Sequence, residues 1–246
     1  MEPLVNDLIN QGYLKNPRII RAFRKIDRVD FVPPEFKNSA YVNAPLPISH
    51  GQTISQPLTV AFMLELLEPR PGDKILDIGS GSGWTTALLA EIAGKRGKVI
   101  AMELVPELCK FGMENIKKYF SVTLSSLKRV GSELNSEPTF KVRSPKNDKK
   151  NKDSRHIEIF CINGSRGYPQ EAPYDKILVS AAAEKMPEEL KNQLKIKGRL
   201  IIPIRNSIWL IERAAKNKFR EEEHFGFSFV PLINNSLNKG GEIKNF

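Results

Sequence analysis

Lys74–Glu103 reads KILDIGSGSGWTTALLAEIAGKRGKVIAME, and the order of its parts decides the fold. Ile75, Leu76 and Ile78 make a short apolar run that ends in Gly79, Gly81 and Gly83. Ala87, Leu88, Leu89 and Ile92 follow at helical spacing, and a second apolar run, Val99–Met102, closes on Glu103. The spacing predicts strand, glycine turn, helix and strand, a βαβ unit with a carboxylate at the tip of its second strand. Such a unit suits a nucleoside. Glycines let a ligand approach the backbone, the helix N-terminus offers unpaired N–H groups, and an acid about 20 residues on can accept both ribose hydroxyls.

Two cofactor classes use this arrangement, and the glycines separate them. A dinucleotide turn runs G-x-G-x-x-G, whereas here the run is G-x-G-x-G behind Asp77. S-adenosylmethionine fits better: its sulfonium is cationic and it has no pyrophosphate to seat on the helix, so an acid beside the turn is useful. The glycine turn alone leaves a dinucleotide enzyme or a purely structural turn open. Asp77 and Glu103 weigh toward the sulfonium donor.

Composition narrows the rest. A chain of 246 residues is long enough for one α/β domain with additions and a substantial core. The net charge of +10 invites a nucleic-acid partner, but half of it lies in Lys141–Arg155, where seven basic residues face two acidic ones. The two cysteines, Cys109 and Cys161, fall on a predicted helix and a predicted strand without C-x-x-C or histidine spacing. They are expected to be reduced thiols, and no metal ligands are expected. No run approaches 18 apolar residues and the N-terminus lacks a signal pattern, so a cytoplasmic protein away from membranes is expected.

In chain order, Leu4, Val5, Leu8 and Ile9 predict a first helix ended by Gly12, and Ile19, Ile20, Phe23 and Ile26 a second after Pro17. Tyr41–Pro57 has three prolines and no clear period, which predicts a polar loop. A helix from Leu58 to Leu67 leads to the first strand, and another runs from Pro106 to about Tyr119. The pattern then decays through 121–154, a solvated insertion whose second half is predicted to be a mobile loop. His156–Ile162 alternates as a strand, Tyr174–Ala183 is a strand running into small residues, Pro187–Leu194 a helix and Arg199–Ile204 a strand. Ser207–Ala215 and Phe225–Leu232 read as strands on either side of a charged turn, paired antiparallel at one edge. The sum is an α/β, Rossmann-like, doubly wound and mostly parallel sheet with an antiparallel edge hairpin and an N-terminal helical addition. One domain, 1–246, is expected. Residues 1–57 supply the helices and substrate loop, 58–205 the donor-binding core with a basic insertion at about 132–155, and 206–246 the last strands and tail.

These residues resemble the protein-L-isoaspartate O-methyltransferase family along most of the chain. AFRKIDRVDFVP (Ala22–Pro33) is similar to its N-terminal helix, APLPI with GQTISQP (Ala44–Pro57) to its hallmark loop and LDIGSGSGW to its donor motif. The run from Glu171 to Ile204 resembles its second half. The resemblance implies methyl transfer from S-adenosylmethionine to the α-carboxylate of an L-isoaspartyl residue in damaged proteins and peptides, giving an ester that collapses to a succinimide. By the same resemblance Ser55, with Thr53 second, stands at the active site, as an orienting hydroxyl rather than a nucleophile. Asp77, Gly79, Ser80, Gly81, Gly83, Glu103, Leu104, Asn163 and Gly164 would contact the donor, Asn163 and Gly164 at the adenine. A monomer is expected.

The chain departs from the family in three places. Ile162-Asn163-Gly164 stands where Gly-Asp-Gly is usual, which predicts weaker donor binding. Ser49-His50 replaces Gly-Tyr or Gly-Phe, and the basic insertion has no family counterpart. Two rivals remain: a methyltransferase acting on RNA, and a non-catalytic RNA-binding module. Against them, Ser180-Ala181-Ala182-Ala183 stands where a nucleic-acid methyltransferase carries N/D-P-P-Y/F, and the basic run holds no aromatic residue on which bases could stack. Nucleic acid is therefore not the expected substrate.

Overall fold

The computed structural model of the protein describes residues 1–120, 123–125, 141–143 and 155–232. Two short helices come first, α1 (Glu2–Asn10) and α2 (Pro17–Lys25). Asn16 caps α2, its side-chain oxygen accepting from the Arg18 N–H at 3.0 Å, and Pro17 sits where a missing N–H is harmless. The stretch 41–57, whose composition predicts a loop, contains an antiparallel hairpin, β1 (Leu46–Ser49) and β2 (Gln52–Ile54). Strands this short, broken by proline, leave no readable alternation. Ser49, His50 and Gly51 at the tip all take positive φ, 92°, 52° and 67°, a conformation that favours glycine and strains the two residues with side chains.

Helix α3 (Pro57–Leu67) then carries the chain to β3 (Lys74–Ile78), α4 (Trp84–Ala93), β4 (Lys98–Glu103) and α5 (Pro106–Lys117). Of the insertion, only β5 (Thr123–Ser125) and β6 (Lys141–Arg143) are described, paired antiparallel. The rest of the predicted loop and of the basic run, Arg155 apart, lies outside the described residues, as does the tail from 233 on. Next come β7 (His156–Cys161), β8 (Tyr174–Val179), α6 (Glu188–Asn192), β9 (Leu194–Ile204), β10 (Ser207–Ala215) and β11 (Lys218–Phe225).

Seven strands form one sheet in the order β11-β10-β9-β8-β3-β4-β7. The five from β7 to β9 are parallel, and β9, β10 and β11 are antiparallel. That is the doubly wound sheet with an antiparallel edge that the pattern predicts. Alternate side chains go to opposite faces: Ile75, Val99 and Ala101 join one core with the helices α1 to α5, while Leu76, Ile78, Ile100 and Met102 join a second with Leu190 of α6. The chain leaves β3 toward β4 and β7, then returns to β8 on the other side of β3. Such a switch point opens a crevice at the carboxyl ends of these strands.

Two expectations need correction. The last strand is Lys218–Phe225, the charged stretch KFREEEHF, not Phe225–Leu232. An edge strand with mostly exposed side chains needs no apolar alternation, so its charges concealed it, and the apolar residues beyond it serve another purpose. Cys109 of α5 and Cys161 of β7 are not free thiols but a disulfide, with Cα atoms 5.7 Å apart. A pairing across 52 positions of sequence leaves no local signal. Smaller shifts occur at α6, which ends before the predicted Leu194, and at β9, which begins there.

Candidate active site

The crevice at the switch point is a solvent-open cleft of about 840 Å³. Its floor is the glycine turn. Gly79 and Ser80 donate their N–H groups to the Met102 carbonyl at 2.9 and 3.1 Å, which locks the turn to the end of β4. Gly79 and Gly81 sit at φ 79° and 51°, so the turn needs residues without a side chain. A side chain at Gly164 would begin 3.0 Å from Ile78 and Met102, so the loop after β7 lies flat across the ends of β3 and β4.

Two carboxylates flank the turn. Glu103 is 7 % exposed, and its oxygens accept from the N–H groups of Gly81 at 2.8 Å and Val105 at 3.0 Å. Burial raises its pKa, while hydrogen bonds from the backbone of Val105, Gly81 and Leu104 oppose the rise. The carboxylate is thus aimed into the cleft and keeps lone pairs for a diol. Asp77 lies wholly buried beneath the turn. Its Oδ2 accepts from the Thr85 and Thr86 hydroxyls at 3.1 and 2.6 Å, and its Oδ1 has no partner. Burial pushes its pKa up to about 6 against the pull of the two threonines. An orphaned carboxylate oxygen beside a diol-ready carboxylate and a flat glycine wall fits a cationic nucleoside such as S-adenosylmethionine.

The roof is the hairpin. Ile48 lies directly over Gly81, where a side-chain carbon would meet it at 3.2 Å. Past the tip, Gln52, Thr53 and Ser55 line the same cleft as the glycine turn. Among the residues singled out from sequence, Thr53, Ser55, Gly79, Ser80, Gly81, Glu103, Leu104, Asn163 and Gly164 all line it.

Two others do not. Asp77 acts from below, as described. Gly83, at φ 86°, is held by helix packing, because a side chain there would run into the Gly112 carbonyl of α5 at 2.8 Å. Asn163 lines the cleft with its side-chain oxygen already accepting from the Ser165 N–H at 2.9 Å, which shapes the loop after β7. His50 points away to Ser49, 2.5 Å off, and to Glu107 at 3.6 Å. It forms no triad with Ser55. Among the described residues no cluster of three or more His, Cys, Asp or Glu could hold a metal ion.

One wall was not legible from sequence. Val230, Pro231 and Leu232 close the cleft beside Ser180 and Ala181. They are tied to the end of β8 by two backbone bonds, Ala182 N–H to the Val230 carbonyl at 2.8 Å and Leu232 N–H to the Ala182 carbonyl at 2.7 Å. The apolar run FSFVPL was their only signal, and it reads equally well as a strand. Among the described residues of the lining, Glu103 is the only charged side chain, and neither lysine nor arginine is present.

Comparison with known proteins shows the family. The sequence model of the protein-L-isoaspartate(D-aspartate) O-methyltransferase family matches residues 1–237. A relative from Methanopyrus kandleri, a protein-L-isoaspartate O-methyltransferase, is 39% identical over 236 residues, 94% of this chain and 90% of its own. One of the same description from Aeropyrum pernix is 38% identical over 234 residues, 94% of this chain and 78% of its own. A crystal structure from Plasmodium falciparum, described as a protein-L-isoaspartate O-methyltransferase in complex with S-adenosyl-L-homocysteine, superimposes with a TM-score of 0.73 at 26% identity. It covers 95% of this chain and 98% of its own.

Proposed function

The chain belongs to the protein-L-isoaspartate(D-aspartate) O-methyltransferase family, and from that premise we propose how its cleft divides the work. The protein moves a methyl group from S-adenosylmethionine to the α-carboxylate of L-isoaspartyl residues in damaged proteins and peptides. That donor, when bound, supplies an electrophilic methyl group on a cationic sulfur. A carboxylate is already anionic at neutral pH, so the chain needs no strong general base. Its task is to align the nucleophile about 3 to 3.5 Å from the methyl carbon and to keep water out. An anion and a cation become two neutral groups, so their charges are partly neutralised in the transition state. A poorly polar cleft therefore favours the transfer, and the lining is poor in charge.

In this division Glu103 takes the ribose hydroxyls, and Asp77 supplies a negative field under the sulfonium end. Gly79, Ser80, Gly81 and Leu104 shape the donor's path, and Asn163 with Gly164 bounds the adenine. Ser55 and Thr53, on the roof, hydrogen-bond and orient the incoming carboxylate. One observation carries the assignment: Ser55 and Thr53 line the same cleft as the glycine turn, and among the described residues Glu103 is the only charged one in that lining.

Among the described residues the lining holds no lysine or arginine, which disfavours a phosphate-bearing substrate, and with it the nucleic-acid alternative. We also propose that 1–246 acts as one domain, since residues from Ile48 to Leu232 line a single cleft, and that it acts as a monomer. A cytoplasmic location is proposed too. Among the described residues no helix is long and apolar enough to cross a membrane.

The test is Ser55→Ala. Loss of one charge-assisted hydrogen bond, about 1.5 to 3 kcal/mol, lowers kcat/KM for an isoaspartyl peptide by roughly 10- to 100-fold. The affinity for S-adenosyl-L-homocysteine should stay within twofold. An unchanged kcat/KM would remove Ser55 from the site.

A further inference from the structure

Arg28 is fully buried between α2 and the substrate loop, and no carboxylate pairs with it among the described residues. Its guanidinium is spent on backbone carbonyls instead. One terminal nitrogen donates to Ala40 at 2.6 Å and Val42 at 3.3 Å, and the other to Ala44 at 2.9 Å and Ser55 at 3.2 Å. Its carbon lies 5.5 Å from the ring centroid of Trp84, which opens α4 directly after the glycine turn and lines the cleft. Trp84 is itself anchored, its indole N–H reaching the Ile26 carbonyl at 3.4 Å.

Burying a cation without a counter-ion is expensive, and burial lowers this one's pKa to about 10. A side chain held at such expense does something a neutral residue cannot. Its planar fork holds two pairs of carbonyls, Ala40 with Val42 on one nitrogen and Ala44 with Ser55 on the other, and so ties both ends of the substrate loop against the start of the donor helix. Lysine, a single donor atom, cannot span both with the same geometry.

We propose that Arg28 is a positioning residue for methyl transfer: by holding the Ser55 carbonyl, it fixes where the Ser55 hydroxyl stands over the glycine turn. This rests on the assignment of Ser55 as the orienting hydroxyl. Arg28 touches neither donor nor substrate, so its effect passes through the loop.

A double-mutant cycle separates that from simple stabilisation. Full-length wild type, Arg28→Lys, Ser55→Ala and the double variant are assayed with an isoaspartyl peptide, together with melting temperature and S-adenosyl-L-homocysteine affinity. Arg28→Lys is expected to lower kcat roughly tenfold or more, as a misplaced group does, with inhibitor affinity within twofold of wild type. On the Ser55→Ala background the same change should lower kcat by less than twofold. An equal loss on both backgrounds would overturn the inference. If Ser55→Ala alone is fully active, the assignment beneath it fails instead. Should Arg28→Lys not fold, Arg28→Met, which leaves no buried charge, replaces it in the cycle. Failure of both to fold overturns the proposal, because Arg28 would then be a requirement of the fold.

Discussion

Replacing Asp77 by asparagine should make the free protein more stable while weakening its hold on the methyl donor. The folded-state pKa of about 6 stands well above the ordinary 3.8, and that rise amounts to about 3 kcal/mol at neutral pH. The sign follows from protonation. Below pH 3.8 the carboxyl is neutral in both folded and unfolded chains, and burial costs no charge. Between pH 3.8 and 6 the unfolded chain ionises first, so stability falls. Above pH 6 both are ionised and the full penalty remains. Asparagine still accepts from Thr85 and Thr86 through its oxygen, and its amide nitrogen replaces an oxygen that already lacks a partner. One orphan is exchanged for another, so most of the gain survives. Thermal melts between pH 4 and 7.5 read the effect. For a chain of this size the variant should melt roughly 5 to 10 °C higher at pH 7, with the gap closing toward pH 4. Calorimetry should show donor binding weaker by roughly tenfold or more, the loss expected when a cation in a low-dielectric site is deprived of its carboxylate. A variant that melts at or below wild type at pH 7, or a gap independent of pH, would refute the reasoning.

The disulfide between Cys109 and Cys161 closes a loop of 52 positions, and the chain-entropy relation gives about 4 kcal/mol for a loop of that length. Reduction by a phosphine should therefore lower the melting temperature by roughly 8 °C or more; no shift, or two alkylatable thiols before reduction, would contradict the pairing. Asn163→Asp restores an acceptor charge beside the adenine wall and should tighten S-adenosyl-L-homocysteine binding several-fold. Equal affinities in the two proteins would remove Asn163 as the reason for weaker binding.

The fold was readable where its information is local. Apolar runs ending in glycine, and an acid at a strand tip, announce β3, α4 and β4 because each signal lies within a few residues of the structure it specifies. Ser55 was legible only through resemblance, since nothing in its chemistry marks one serine as oriented and another as solvated. Charges disguised β11 because an edge strand needs no buried alternation. Contacts made by backbone or across long distances were invisible: Val230 and Leu232 reach the cleft through main-chain bonds to Ala182, and Arg28 holds the substrate loop through four carbonyls. Gly83 shows a second reason for a glycine. Its place in a binding motif suggested the donor, while the crowding of α4 against α5 is what excludes a side chain there.

The most direct measurement mixes the protein and labelled S-adenosylmethionine with two peptides identical except for L-isoaspartate or L-aspartate at one position, and counts base-labile methyl esters. Label on the isoaspartyl peptide alone is the predicted result. Equal labelling of both, or of neither while the donor binds, would contradict the central claim.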